Sequence, residues 1–462
     1  MSFDSFFAKF ERIFMGPMTK LAQQRHLLAV RDGMISTIPL TIVGSVFLII
    51  AFLPVPQAWN ESIAFFKFLK THALTIMIPF RVTMGLVAIY ATYTIGYSLA
   101  KSYELDGKSG GALALMAFFM TTLPQAAYSV MNAMQSVTLA DGRDVMVLTA
   151  DQLKALGLVI PMDRLGGAGL FVGIFTAIIA VEILRFFEKN NLVIRMPEGV
   201  PDSVARSFSA LFPAFAVMIV MFGFLVLARI WPFLDLHTVF SSVFSPLKKV
   251  VDTPVGAVLI VLFITMLWAA GIHGVSIIGT IVRPVWLDML DQNAQAHAEI
   301  LQFGTTNITS YVTPEPFFQW FIWIGGSGGT IGLVLWLLVA RSRYLKELGK
   351  VTFLPSIFNI NEPLIFGLPI MLNPFFFVPF ILGPVIVTIF SYAVMSLGWV
   401  NAPFALAPWT LPGPIGAYIA TGDWRAIILN IVNIIILAVI YYPFMRAYDR
   451  KMLKEEQGEA VA

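Results

Sequence analysis

The stretch FLPSIFNINEPLIFGLPIMLNP, residues 353–374, cannot be written as one membrane-spanning helix. Prolines at 355, 363, 369 and 374 each remove a backbone donor and disfavour helix in the residue before them. Between them stand Asn359, Asn361, Glu362 and Asn373. Irregular backbone at membrane depth persists only where it is buried in protein or lines a cavity, and an ionisable residue there is a functional-site candidate. A carboxylate accepts bonds from several hydroxyls, and the asparagine amides supply both donors and acceptors, a set suited to a polyol. The plainer alternative is a carboxylate that steadies a broken helix through backbone amides.

The surrounding chain has 462 residues, 58% of them hydrophobic and 12% charged, with no cysteine. Soluble domains carry about a quarter charged residues. With a mean hydropathy of +0.81, the composition predicts an all-α integral membrane protein. The absence of cysteine excludes disulfides and thiolate metal sites. The net charge of +3, with no basic patch interleaved with aromatics, gives no reason to expect nucleic acid. Residues 1–33 alternate apolar and basic positions, which predicts an amphipathic helix on the cytoplasmic face rather than a cleaved signal peptide.

A span needs about 20 apolar residues. Candidates are Met34–Leu53, 82–100, 111–131, 165–187, 208–230, 254–272, 320–340, 375–396 and 424–446. Basic residues concentrate at the N-terminus, Lys101–Lys108, Arg185–Arg206, Arg341–Lys350 and Arg446–Lys454, which the positive-inside rule places in the cytoplasm. Placing all five inside requires a further crossing between Gly274 and Gln319, best supplied by Val275–Leu290 despite Pro284. The expectation is about ten transmembrane helices with both termini cytoplasmic. Two segments, 353–374 and the Pro- and Gly-rich Pro403–Ala420, are then re-entrant, as at the binding sites of transporters. The predicted division is 1–33 as the cytoplasmic N-terminus, 34–446 as the transmembrane part, and 447–462 as a cytoplasmic tail. ADGRD between VTL and VMVL predicts a β-hairpin, and Ser203 is a plausible helix cap before the fifth span.

His273 lies between glycines in GIHG, which allow close backbone approach and leave the imidazole open. Trp268 sits five residues upstream, and Trp409 occupies the second broken segment. Tryptophan faces, a carboxylate and an imidazole together suit a saccharide, although each tryptophan alone reads as an interfacial anchor. Arg81 reads first as an interface anchor and second as a ligand contact. Glu182 and Arg185, at i and i+3, predict a local ion pair. Glu315 reads as a loop carboxylate, and GGSGGT at 325–330 as a place where helices approach closely. Asp288, Asp291, Asn293 and His297 do not make a metal site, and neither a cofactor cradle nor a catalytic triad spacing is present.

INEPLIFGLPIMLNP resembles the Asn-Glu-Pro motif of the membrane (IIC) components of bacterial phosphoenolpyruvate-dependent sugar phosphotransferase systems. GIHG, GGSGGT, VPDSVARSFSALFP at 200–213 and APWTLPGPIGA at 407–417 resemble the cellobiose/diacetylchitobiose branch of the lactose–cellobiose family, in that family's order. The resemblance implies a homodimer in the bacterial cell membrane, with residues 34–230 dimerising and 231–446 holding the sugar. It implies a permease that carries a β-linked disaccharide inward by a rigid-body shift of the substrate domain. A separate IIB subunit, charged in turn by IIA, then phosphorylates the 6-hydroxyl from a phosphocysteine. Carried over by motif, Glu362, His273, Asn361, Trp268 and Trp409 are sugar contacts, with Arg81 a departure from the neutral polar residue of the family. No residue is assigned as catalytic, with Glu362 the sole candidate for a weak base when IIB docks. Two further classes stand beside this one: an ion-coupled secondary sugar transporter with Glu362 as proton carrier, and an intramembrane enzyme, which lacks the residues for it.

Overall fold

The computed structural model describes residues 20, 23–53, 59, 62–122, 125–126, 135–138, 144–147, 158–159, 162–197, 199–201, 204, 208–303, 310–368, 370 and 374–457. Asn373, Ser203 and most of the amphipathic N-terminus lie outside them. Helices dominate. The chain runs through α1 (Arg25–Ile35), α2 (Ile38–Ala51), α3 (Ala64–Thr71), α4 (Ala73–Ile76), α5 (Ile78–Thr83), α6 (Val87–Ser102) and α7 (Gly107–Thr121). Four short strands follow: β1 (Gln125–Ala126), β2 (Gln135–Thr138), β3 (Asp144–Val147) and β4 (Leu158–Val159). Next come α8 (Leu170–Lys189), α9 (Leu211–Ile230), α10 (Leu236–Val251), α11 (Pro254–Ala269), α12 (Gly274–Phe303), α13 (Glu315–Phe321) and α14 (Ile331–Leu338). The last are α15 (Arg343–Ile357), α16 (Glu362–Gly367), α17 (Pro374–Ser396), α18 (Gly413–Thr421) and α19 (Arg425–Glu456).

Six helical stretches among the described residues are long and apolar enough to cross a bilayer: Arg25–Ala51, Ala73–Ser102, Gly167–Lys189, Leu211–Ile230, Phe375–Ser396 and Arg425–Glu456. The pair α10 and α11, bent by 84°, is a seventh candidate. α9 shows why these helices need lipid. It buries only Pro213, Val217 and Met221 while Phe215, Ile219, Phe222 and Ile230 are more than half exposed. In water such a face would be an aggregation surface; in hydrocarbon it is neutral. The chain is an all-α, multi-pass membrane protein.

Two expected spans differ. The 111–131 candidate ends as helix at Thr121, where Thr122 caps it and strand β1 follows at Gln125. The 320–340 candidate is broken into α13 and α14 by GGSGGT, whose four glycines all take positive φ between 63° and 101°. These glycines interrupt a helix and also allow close approach: a Cβ on Gly328 would fall 2.2 Å from Phe380 of α17, and one on Gly329 2.7 Å from Leu437 of α19. Glu315 opens α13 instead of lying in a loop, and its Oε1 pairs with Arg283 at 2.6 Å. Val275–Leu290 is helical within the 30-residue α12, Pro284 included. β2 and β3 pair antiparallel, Gln135 opposite Val147 and Thr138 opposite Asp144, so the hairpin forms where ADGRD predicted it. Glu182 pairs with Arg185 at 3.1 Å and accepts a bond from Tyr103 Oη at 2.5 Å.

Contacts divide the chain into two units. One holds residues 1–31, 35–84 and 243–462; the other holds 32–34 and 85–242. Residues 35–84 thus pack with residues 243–462.

In the first unit, local sequence sets the helix ends. Thr253 caps α11, its Oγ1 accepting from the Gly256 amide at 3.0 Å, and Pro254 takes the position where a missing N–H costs nothing. Asp252, one residue earlier, accepts from the Val312 and Thr313 amides at 2.8 Å each. The polar Asn293 on α12 binds Tyr311 from both sides and donates to the Pro403 carbonyl at 2.7 Å. Irregular segments before α13 and α18 are thereby given the partners that buried backbone requires.

Candidate functional site

α15 carries Pro355 in its last turn and stops at Ile357. Asn359 follows with φ of 60°, the left-handed region that asparagine tolerates better than most residues. Its side chain is a staple: Nδ2 donates to the carbonyls of Trp409 (3.0 Å) and Leu411 (3.1 Å), and Oδ1 accepts from the Gly325 amide (2.9 Å). Asn361 is buried, and its Nδ2 donates to Ser327 O at 2.8 Å and Thr330 Oγ1 at 3.2 Å. A Cβ on Gly326 would fall 2.3 Å from Asn361 Cγ, so only glycine leaves room for this asparagine. Three separate broken segments, 325–330, 359–361 and 409–411, are tied together by two amide side chains.

Glu362 is the first residue of the short α16, and it is exposed. Its carboxylate makes no hydrogen bond or ion pair with any described residue, so all its acceptor capacity is free for a ligand. His273 lies between α11 and α12, again exposed, and has Glu362 and Arg31 as charged neighbours. Nδ1 of His273 accepts from the Ser276 amide at 3.1 Å, which leaves the proton of the neutral ring on Nε2. Nε2 is then a donor free to meet a hydroxyl. The ring rests on Trp268, centroid to centroid 4.5 Å and tilted by 46°. A Cβ on Gly274 would lie 2.2 Å from Ile264 O, so the second glycine of GIHG lets the start of α12 close onto α11.

The expected site residues therefore fall into groups. Glu362 and His273 are accessible groups within electrostatic range of each other. Trp268 is 8% exposed and supports the imidazole, while its buried Nε1 lacks a partner among the described residues. Trp409 is 50% exposed, and its carbonyl is bonded to Asn359. Asn361 faces inward as a staple. Arg81 is exposed on the six-residue α5, and no bond or ring contact among the described residues joins it to this cluster. No group of three His, Cys, Asp or Glu side chains among the described residues is placed to hold a metal.

The profile of the family described as "Phosphotransferase system, EIIC" matches residues 31–384. The chain belongs to the phosphotransferase system EIIC family. It is 38% identical to the PTS system cellobiose-specific EIIC component of Geobacillus stearothermophilus, over 99% of this chain and 97% of that one. The lactose-specific EIICB component of Staphylococcus haemolyticus is 31% identical over 95% of this chain and 70% of its own length. Among solved structures, the crystal structure of the transporter ChbC, the IIC component from the N,N'-diacetylchitobiose-specific phosphotransferase system, superposes with a TM-score of 0.85. That match has 36% identity and covers 98% of this chain and 100% of ChbC. This EIIC chain is thus a sugar permease subunit of a phosphotransferase system, and the ion-coupled alternative is not favoured.

Several residues that support this candidate site went unread in the sequence. Asn430 donates to Trp320 O at 2.6 Å, and Asn433 to Phe321 O at 2.9 Å and Ser391 Oγ at 2.7 Å. Tyr441, fully buried, donates to Gly328 O at 2.9 Å. They hold the frayed end of α13 and the glycine loop from α19. The signal was present: two asparagines in NIVNIII inside a spanning run are costly unless they satisfy something.

Proposed function

We propose that this EIIC chain binds a β-linked disaccharide of the cellobiose or chitobiose type at Glu362 and His273 and moves it inward for phosphorylation. The observation that carries the reading is the uncommitted Glu362 carboxylate beside an imidazole whose Nε2–H is open and whose ring lies on Trp268. Glu362 accepts from two sugar hydroxyls, and His273 donates to a third. Trp409, with half its surface free, offers its face to the C–H side of a pyranose ring. Asn361 positions Glu362 from beneath instead of touching sugar, and Arg81 acts at the entrance or at the interface. The relatives named for cellobiose and for diacetylchitobiose support this substrate class.

The chemistry of phosphoryl transfer lies on other chains. This sequence has no cysteine to carry phosphate, so a IIB subunit, charged by IIA, would deliver it to the 6-hydroxyl presented at the inner face. The EIICB relatives, in which the matched part spans about 70% of the length, support such a partnership. The proposal includes ten crossings, two re-entrant segments, both termini in the cytoplasm of a bacterial cell, and a homodimer. In it, 34–230 forms the dimer and 231–446 holds the sugar. One contact supports the orientation: Asp449 and Glu456 of the basic tail accept from the backbone of Arg341, Ser342, Arg343 and Tyr344, so two basic runs share one face.

The test is calorimetric binding of cellobiose, lactose and diacetylchitobiose to the purified protein. Glu362→Gln and His273→Ala are each expected to lose measurable binding while the protein stays monodisperse. Ordinary affinity in both variants would remove the site assignment.

A further inference from the structure

The second unit contains a cavity that the sugar reading does not use. Its volume is about 310 Å³, at the lower end of the roughly 300–1,000 Å³ typical of small-ligand pockets. One wall is a stripe of α9: Met221, Phe224, Leu225, Ala228 and Arg229, spaced i, i+3, i+4, i+7 and i+8. The opposite side brings Thr121 at the end of α7, Arg164, and Asp235 just before α10. Two arginines face one carboxylate. Arg164 spends part of its charge on Asp235 at 3.3 Å, and Asp235 also caps α10 by accepting from the Thr238 amide and hydroxyl at 3.1 Å each.

Arg229 is different. It is exposed, in the last turn of a helix whose remaining residues are apolar, and makes no hydrogen bond or ion pair with a described residue. Ile230 and Trp231 beside it are 59% and 48% exposed. The cavity thus sets an apolar α9 wall against a polar side and ends in a cation at the end of a candidate membrane span.

We propose that this cavity binds the phosphate headgroup of an anionic phospholipid, with the first methylenes of its acyl chains along the α9 stripe. A guanidinium binds phosphate bidentately through parallel N–H donors. The net positive charge of the pocket selects an anionic head, and the apolar wall selects an amphiphile over a free anion. Asp235, already committed to Arg164 and to the α10 amide, contributes little repulsion.

Native mass spectrometry and thermal unfolding of the full chain in mild detergent test the idea, with phosphatidylglycerol, phosphatidylcholine and inorganic phosphate added separately. Phosphatidylglycerol is expected to remain bound and raise the unfolding midpoint, and Arg229→Gln to weaken that binding about tenfold. Ala228→Phe, which fills the cavity and keeps the charge, is expected to displace the lipid as well. Arg229→Lys should restore part of the binding. Equal retention of phosphatidylcholine would overturn the proposal, as would an equal shift from phosphate alone, which indicates a free-anion site. Unchanged lipid binding in both Arg229→Gln and Ala228→Phe would overturn it too. So would loss of protomer association in Arg229→Gln without loss of lipid, which assigns the surface to a second copy.

Discussion

Asn359 and Glu362 are three residues apart and do opposite things. Asn359 spends every polar atom on backbone, bridging Gly325 to Trp409 and Leu411, whereas Glu362 spends none. Their variants should separate stability from binding. Asn359→Gly keeps the left-handed backbone accessible but leaves one buried amide and two carbonyls without partners. A loss of about 2–3 kcal/mol in unfolding free energy is expected, read as a lower midpoint in detergent. An unchanged midpoint would mean the staple is idle. Glu362→Gln should leave the midpoint near that of the parent and reduce disaccharide affinity by at least about tenfold, since a charge-assisted bond becomes a neutral one. The sequence made Glu362 legible because an ionised carboxylate in an apolar, proline-broken run is costly to hold without a ligand. It did not reveal that Asn361 points inward, because an amide reads alike as ligand contact or as staple until its partners are known.

Helix pairing and helix ends carry the next two expectations. α6 and α7 meet through Gly96 and Gly110, where a Cβ on either would lie 2.8 Å from the carbonyl oxygen of the other. Backbone cannot give way as a flexible side chain can. Gly96→Leu should therefore cost about 1–3 kcal/mol or more and lower the yield of folded protein, measured by the unfolding midpoint. At the other end of the chain, beyond the apolar part of α19, Glu456 is held below the usual carboxylate range. The Tyr344 amide is the chief cause, followed by the Ser342 hydroxyl and the Arg343 amide. A depressed carboxylate adds stability above its unfolded value of 4.5 and loses it as pH falls through the folded value. Protection of the Arg343 and Tyr344 amides against hydrogen exchange should be high near pH 7 and fall below about pH 4.5. Glu456→Gln should remove that pH dependence, and a dependence that survives it would point to Asp449 alone. Spans with unbroken apolar runs, α8, α9, α17 and α19, were legible from hydropathy. The break at 325–330 was not, because glycine serves helix packing and helix interruption equally well.

On the scale of the whole molecule, the chain provides a bilayer scaffold, an open carboxylate–imidazole pair and a sequence without cysteine. Purified alone in vesicles it should bind disaccharide yet accumulate none under an imposed pH gradient. Accumulation as sugar 6-phosphate should appear only when IIB and a phosphoryl source are added inside. Gradient-driven uptake without IIB would contradict the assignment of the chemistry to another chain. The family and the permease role were legible from the ordered motifs, each weak by itself. The packing of residues 35–84 with the carboxy-terminal part depends on tertiary contacts that no local pattern encodes.

The clasp of the tail on α15 has a practical side. α19 runs 32 residues from Arg425 to Glu456, and its final turn grips the first turn of the helix that leads to Asn359 and Glu362. The last turn of α19 is therefore a handle on the loop that carries Asn359 and Glu362. A chain shortened before Glu456, or a bulky fusion that pulls the last turn away, releases the base of α15 without touching the sugar contacts. Tags and reporter domains on this protein belong beyond Ala462 on a linker long enough to leave that grip intact.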